Sequence, residues 1–448
     1  MQGVAARGPV RRVVPLCWPG RFPFLFVIRS SMYLLLAVLL AVQPFANLNS
    51  AKTPSGLFYV TLFICLALLV QRRFAGAGQM TRDYKWGVAS FSVLLLAVAG
   101  ASLYYGDWAG ANGEGAIRLF LGFWVVLLAL AYVPSRYLQW GVMGTAAAGV
   151  LSAGVVLSLT LPDFVRPATP GHNAVTYGNY MAYMAVVAAF SLGWQQTQWP
   201  RAERVLKALA AAVSLAGFVL TQTRSGWVAM PVFVLLAAAL FVGWQQWRRA
   251  LVAALVMLAA LVAVFASSDI MRDRAVLAYD EVISCRDSGY TENSSVCIRL
   301  QLYRASVDMF VQHPLTGLGD GSRFHETMVT DSHPKGLVGD FVIGIDDYFG
   351  EPHNDLLFML ASFGLPGFMG LLLAYLAPCG YFLKRLSHTV PQPARVAAAM
   401  GLALCLGFLV FGFTETMFRR MHTLSFYAVF VAVFLSLSDP RRYAVAKA

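Results

Sequence analysis

Charge is scarce in this chain. Only 12% of its 448 residues are charged, and 22 are acidic. Soluble domains carry roughly twice that fraction, so a water-soluble globular enzyme is excluded at the outset. Cysteine is sparse as well, at six residues, and none has the partner Cys or His spacing of a zinc site. Whole classes of motif are missing. There is no Walker A loop, no dinucleotide-binding glycine fingerprint and no HExxH. No G-x-S-x-G nucleophile elbow is present. No acidic cluster lies just outside an early helix to hold a cation. The expected chemistry therefore runs without ATP, cofactor or bound metal.

What fills the chain is apolar: 58% of residues are hydrophobic, with a mean hydropathy of +0.63. A helix needs about 20 mostly apolar residues to cross a bilayer. About twelve segments approach that length, near 24–46, 56–71, 84–105, 117–133, 138–161, 178–194, 205–221, 226–244, 250–267, 354–383, 396–413 and 423–438. The expected fold is an all-α integral membrane protein, with 1–267, 268–352 and 353–448 as nine helices, one large external loop and three helices. With both termini inside, the cytoplasmic segments hold about 20 of the 34 basic residues. The net charge of +12 then needs no nucleic acid to explain it. The basic N-terminus has no small-residue cleavage site after its first apolar run, so it is not read as a removable signal. No soluble domain is expected at either end.

External connections before residue 268 are short, including the acidic, Gly-rich stretch Tyr105–Ala116 and the Pro-rich stretch Asp163–Thr176. From Ser268 to Pro352 comes a polar segment of about 85 residues, and loops that long are usually functional. Cys285 and Cys297 both fall in it, and an oxidising compartment permits a bridge between them. A helix is predicted after a cap at Asn293 or Ser294. Val296, Leu300, Tyr303, Val307 and Phe310 recur at helical spacing and form its expected buried face. It should stop near His313-Pro314. Arg299 and Arg304 are about 140° apart on that helix, so they cannot serve one ligand. Arg299 is the one placed to look toward the bundle.

Ionisable residues at membrane depth are costly and default to functional roles. Arg224 sits in TQTRSGW, a tight turn between two apolar helices. Glu415 sits in FTETMFRR near Arg419 and Arg420, where a surface ion pair of little energetic value is the plain reading. His353 follows Pro352 and precedes Asn354 and a long apolar helix. Pro is common at a helix start, and the positive end of the helix dipole disfavours imidazolium. That suits a neutral general base, while a helix-capping histidine is the structural alternative. Asp346-Asp347 reads as a solvated turn.

Four segments resemble the O-antigen ligase and polymerase superfamily of bacterial envelope enzymes. They are HNDLLFMLASFGLPG from His353, RLQLYRASVDMFVQHPLTGLG from Arg299, TRSGW around Arg224, and GHNAVTYGNYMAYM from Gly171. The late external loop also fits. Within the superfamily the chain is most similar to the O-antigen ligases. The resemblance implies transfer of a finished glycan from undecaprenyl diphosphate to a sugar hydroxyl of lipid A–core, in the bacterial inner membrane, on the periplasmic face. It implies His353 as the essential histidine and Arg224 and Arg299 as the paired arginines. Arg304, Asn354 and Glu415 are further substrate-binding candidates. Membrane lipids are the surroundings, and no cofactor is implied. The rival readings are an O-antigen polymerase and an O-linked protein oligosaccharyltransferase. A transporter, from another class, would instead place paired charges inside several helices.

Overall fold

The computed structural model describes residues 23–444 apart from 109, 162, 164, 244–245, 268, 291 and 345–349. Eighteen α-helices run through them. They are α1 (Pro23–Asn49), α2 (Thr53–Gln71), α3 (Ala77–Asp83), α4 (Lys85–Tyr105), α5 (Gly110–Leu130), α6 (Ser135–Thr160), α7 (Ala174–Ser191), α8 (Pro200–Leu220), α9 (Ser225–Ala238), α10 (Trp247–Ser267), α11 (Asp269–Asp287), α12 (Ser295–Gln312), α13 (Arg323–Thr327), α14 (Asp340–Ile343), α15 (Asp355–Lys384), α16 (Gln392–Phe411), α17 (Met421–Leu437) and α18 (Arg441–Ala444). No strand occurs among the described residues.

Among the described residues each of the twelve apolar segments is mostly helical, and eight helices are long and apolar enough to cross a membrane. Those eight establish a multi-pass membrane protein. Backbone amides in hydrocarbon find partners only within helices or closed barrels, and apolar runs of about 20 residues suit the helix. Helices α7, α16 and α17 are buried along most of their length, and α17 is sheathed from Thr423 to Leu437. They form the centre. Around them pack the pairs α1–α6, α4–α15, α5–α17 and α7–α8.

Hydrogen bonds tie each end of the bundle. At one end the Arg385 guanidinium donates to the Tyr84 hydroxyl (2.7 Å) and to the Leu435 carbonyl (2.8 Å), and Arg441 pairs with Asp83 (2.8 Å). At the other, Tyr177 donates to Asn49 (2.7 Å), the His172 ring meets the Asn47 carbonyl (2.8 Å), and Asn112 donates to Asp320 (2.6 Å). All sequence-predicted site residues belong to this second end.

Three expectations are corrected here. Helix α5 begins at Gly110, so the Gly-rich stretch Tyr105–Ala116 is mostly helix. The polar segment begins with a helix that was not anticipated, α11. Lastly, α12 starts and stops where predicted, with Ser294 accepting from the Cys297 amide (3.3 Å) and His313 at its end, but it is turned over. Its buried face is Ile298, Leu302, Ala305 and Met309, packed on Phe324, Met328, Val338 and Val342. Val307 on the expected face is 46% exposed. Both faces carry apolar residues at helical spacing, so periodicity alone does not choose between them. Asp346-Asp347 lies outside the described residues.

Helix α15 is broken. Phe363 (φ −135°, ψ 15°) and Gly364 (φ 63°, ψ −161°) leave the helical region. Pro366 has no N–H to give the Ser362 carbonyl, so that acceptor must look elsewhere. It finds the Gly319 amide (2.9 Å), while Leu318 N–H serves the Ala361 carbonyl (2.9 Å) and Leu365 N–H reaches the Pro314 carbonyl (2.8 Å). The His-Pro-Leu-Thr-Gly-Leu-Gly turn after α12 thus fills the gap. A Cβ on Gly317 would lie 2.4 Å from the Phe363 nitrogen, and one on Gly364 2.6 Å from the Pro314 carbonyl oxygen.

Candidate active site

Residues 351–355 and 412–420 are stitched together by Asp355. Its amide donates to the Gly412 carbonyl (2.7 Å), and its buried carboxylate accepts from the Phe418 amide (2.8 Å) and the Tyr375 hydroxyl (2.7 Å). Asn354 is the helix cap: its side-chain oxygen accepts from the Leu357 amide (3.0 Å), and its amide group donates to the Phe413 carbonyl (3.2 Å). The alternative that His353 caps the helix is therefore overturned. His353 stands one residue before the cap, in the left-handed region at φ +50°, where a non-glycine residue is uncommon.

That backbone turn directs the His353 ring between two carboxylates. Nδ1 lies 3.5 Å from Glu415 Oε1 and 3.9 Å from Glu351 Oε1. These are charge contacts at or beyond the outer limit of a hydrogen bond. Glu415 is 1% exposed, which corrects its reading as a surface ion pair. Its oxygen also accepts from the Asn173 amide group (3.2 Å), and Asn173 in turn caps α7 through the Thr176 amide (2.8 Å). Burial pushes the Glu415 carboxyl toward protonation. The His353 ring, the Asn173 amide and the Arg299 charge outweigh it and hold the group below its usual range. Arg419 pairs with Glu351 instead of Glu415, at 2.9 Å.

Arg299 is half-buried, with its charge felt at Glu415. One turn further along α12, the Tyr303 hydroxyl donates to the same Phe413 carbonyl that Asn354 uses, at 3.0 Å. Arg304 points elsewhere and stacks over the Tyr290 ring at 4.7 Å. The opposed directions expected for the two arginines are what the helix produces. Arg224 is exposed on the turn before α9. The next residue, Ser225, donates to Asn179 of α7 (3.0 Å), six positions beyond Asn173. The Arg224 turn and the Glu415 carboxylate thus hang on one helix. Cys285 and Cys297 are bonded, joining α11 to α12.

Glu351, Asn173, Asp355 and Arg419 were not anticipated as site residues. Glu351 and Asp355 flank the histidine in EPHND, a local acidic signal. The Asn173–Glu415 and Asp355–Phe418 contacts join distant parts of the chain, and no spacing rule reports them.

Chemically, the site offers an imidazole with a buried carboxylate behind it and a cation alongside. The ligand atoms of Glu351, His353 and Glu415 lie within 4.8 Å of one another, close enough to share a metal ion. One Glu351 oxygen is already neutralised by Arg419. The same donors thus suit proton transfer without a metal.

No curated protein matches this chain. A family model described as O-antigen ligase matches residues 209–372, which include Arg224, Arg299 and His353 but end before Glu415. Over those residues the chain is similar to the O-antigen ligase family.

Proposed function

We propose that this protein transfers a glycan from undecaprenyl diphosphate to a sugar hydroxyl of lipid A–core, on the periplasmic face of the bacterial inner membrane, with both termini cytoplasmic. The observation that carries the reading is the His353–Glu415 pair at one end of a membrane bundle, with Arg299 beside it.

In this reaction the acceptor oxygen attacks the anomeric carbon. The bond from that carbon to the diphosphate oxygen breaks, and its electron pair leaves with undecaprenyl diphosphate. His353 takes the hydroxyl proton. Glu415 steadies the imidazolium that forms, as a buried carboxylate does behind a catalytic histidine. Arg299 and Arg224 meet the growing charge on the diphosphate. Arginine stays ionised and forks onto phosphate oxygens, and such a donor is worth about 3–4 kcal/mol in a dry site. Attack opposite the leaving group inverts the anomeric centre in one displacement.

Deleting the gene tests the assignment. Loss of all long chains from lipid A–core, with lipid-linked polymer retained, is the expected result. Cores capped by a single repeat point to a polymerase. Unchanged lipopolysaccharide with unglycosylated envelope proteins points to a protein oligosaccharyltransferase. Complementation with His353→Ala should lower transfer by about 10²–10⁴-fold, and normal ligation by a folded variant ends the mechanism. Purified protein should keep its rate in excess chelator. A loss that Mg²⁺ or Mn²⁺ restores assigns Glu351, His353 and Glu415 to a metal.

A further inference from the structure

The inverted face of α12 leaves apolar residues exposed where water-facing helices carry polar ones. Val307 is 46% and Val311 68% exposed. Together with Tyr290 and Leu337 they floor a groove of about 700 Å³ that also includes Tyr303, Arg304 and Asp308. The rest of the groove is polar in a specific way. Arg304 backs the Tyr290 ring at 4.7 Å, and its Nη1 is shielded from solvent with no hydrogen-bond acceptor. A buried guanidinium nitrogen left without an acceptor is costly, and a ligand oxygen in the groove would satisfy it once the side chain turns outward. Lys335 bridges Asp308 (2.8 Å) and Asp331 (2.7 Å) at the rim, and Gln312 donates to Asp331 (2.7 Å). Aromatic and aliphatic floor, orphaned donor and a rim of both charges suit a ligand with C–H faces and many hydroxyls. Hydrocarbon would desolvate Arg304, Asp308 and Lys335 for no return.

We propose that this groove binds the glycan of the lipid-linked donor, holding the sugars that follow the diphosphate. The inference rests on the transferase reading above. Its direction comes from α12 itself: Tyr303, at the groove's end, lies one turn from Arg299, about 6 Å along the axis. A sugar joined to a diphosphate at Arg299 enters the groove there. Leu300 to Val311 then provides about 16 Å of track.

The test uses the full chain in detergent and, as probe, the water-soluble polysaccharide released from the donor lipid by mild acid. The unsubstituted protein should bind it. Leu337→Trp, which fills the groove, and Tyr290→Ala, which removes its ring, should each weaken binding about tenfold, the equivalent of about 1.4 kcal/mol. An intact Cys285–Cys297 bond and an unchanged melting midpoint certify folding. With lipid diphosphate donors, KM should rise for a polymer-bearing donor far more than for one carrying a single sugar. If the unsubstituted protein transfers from neither donor, the transferase reading fails while the polysaccharide titration still decides the groove. Equal polysaccharide binding by all three proteins overturns the proposal. So does quenching of the indole introduced by Leu337→Trp by brominated lipid in proteoliposomes without saccharide binding, which gives the groove to the bilayer.

Discussion

His353 is held at φ +50°, and such a backbone costs of order 1–3 kcal/mol. It persists because Asn354 and Asp355, the next two residues, are fastened to the 412–418 loop. The strain aims the ring at Glu415. Glu415→Gln keeps the shape and removes the charge, so kcat should fall at least about tenfold with KM little changed. An unaltered kcat removes Glu415 from the mechanism. The buried His172 gives a pH prediction. Desolvation first, then the nearby His422 and Arg420 charges, press His172 down from 6.5 to about 3, against the Asn47 carbonyl bond that raises it. Its folded value is therefore below its unfolded one. Stability is fully present above about 6.5 and declines as pH falls toward about 3, by up to about 1.4 kcal/mol per pH unit, because the unfolded chain takes a proton the fold refuses. Melting curves between pH 7 and 4 should show that slope, and His172→Asn should flatten it. An equal slope in both proteins contradicts the assignment.

At the scale of elements, the two motifs that resemble the family turn out to be one construction. The glycine turn after α12 supplies the amides that the break in α15 needs. Gly317 carries φ +58° and has no room for a Cβ. Gly317→Ala should therefore cost more than about 1 kcal/mol and lower the yield of folded protein. An undiminished melting midpoint would show that the turn can move away. The start and stop of α12 were legible in its capping serine and its His-Pro end. Its buried face was not, because Leu300, Tyr303 and Val307 repeat with the same period as Ile298, Leu302 and Ala305. Burial is decided by what packs against a helix, here Phe324 and Met328.

For the whole molecule, the antiparallel order of the long helices puts the 221–224 turn, residues 351–354 and the 412–420 loop at one end, opposite Arg385 and Arg441. From the Lys/Arg bias we propose that this end faces outside. With a membrane-impermeant maleimide on intact inner-membrane spheroplasts, Thr414→Cys should label and Ser387→Cys should not. The reverse pattern would turn the protein over and place the chemistry in the cytoplasm.

Composition and apolar run length by themselves determined a helical membrane protein, because hydrocarbon admits only helices or closed barrels and apolar runs of about 20 residues fit the helix rather than the shorter barrel strand. Arg224, Arg299 and His353 became candidates through the short motifs that resemble the family. The placement of Glu415 behind the histidine, the break that seats the glycine turn and the outward face of α12 were decided by tertiary structure alone. Asn173 and Glu415 are 242 positions apart, and only packing of α7 against α16 brings such residues within reach of one ring.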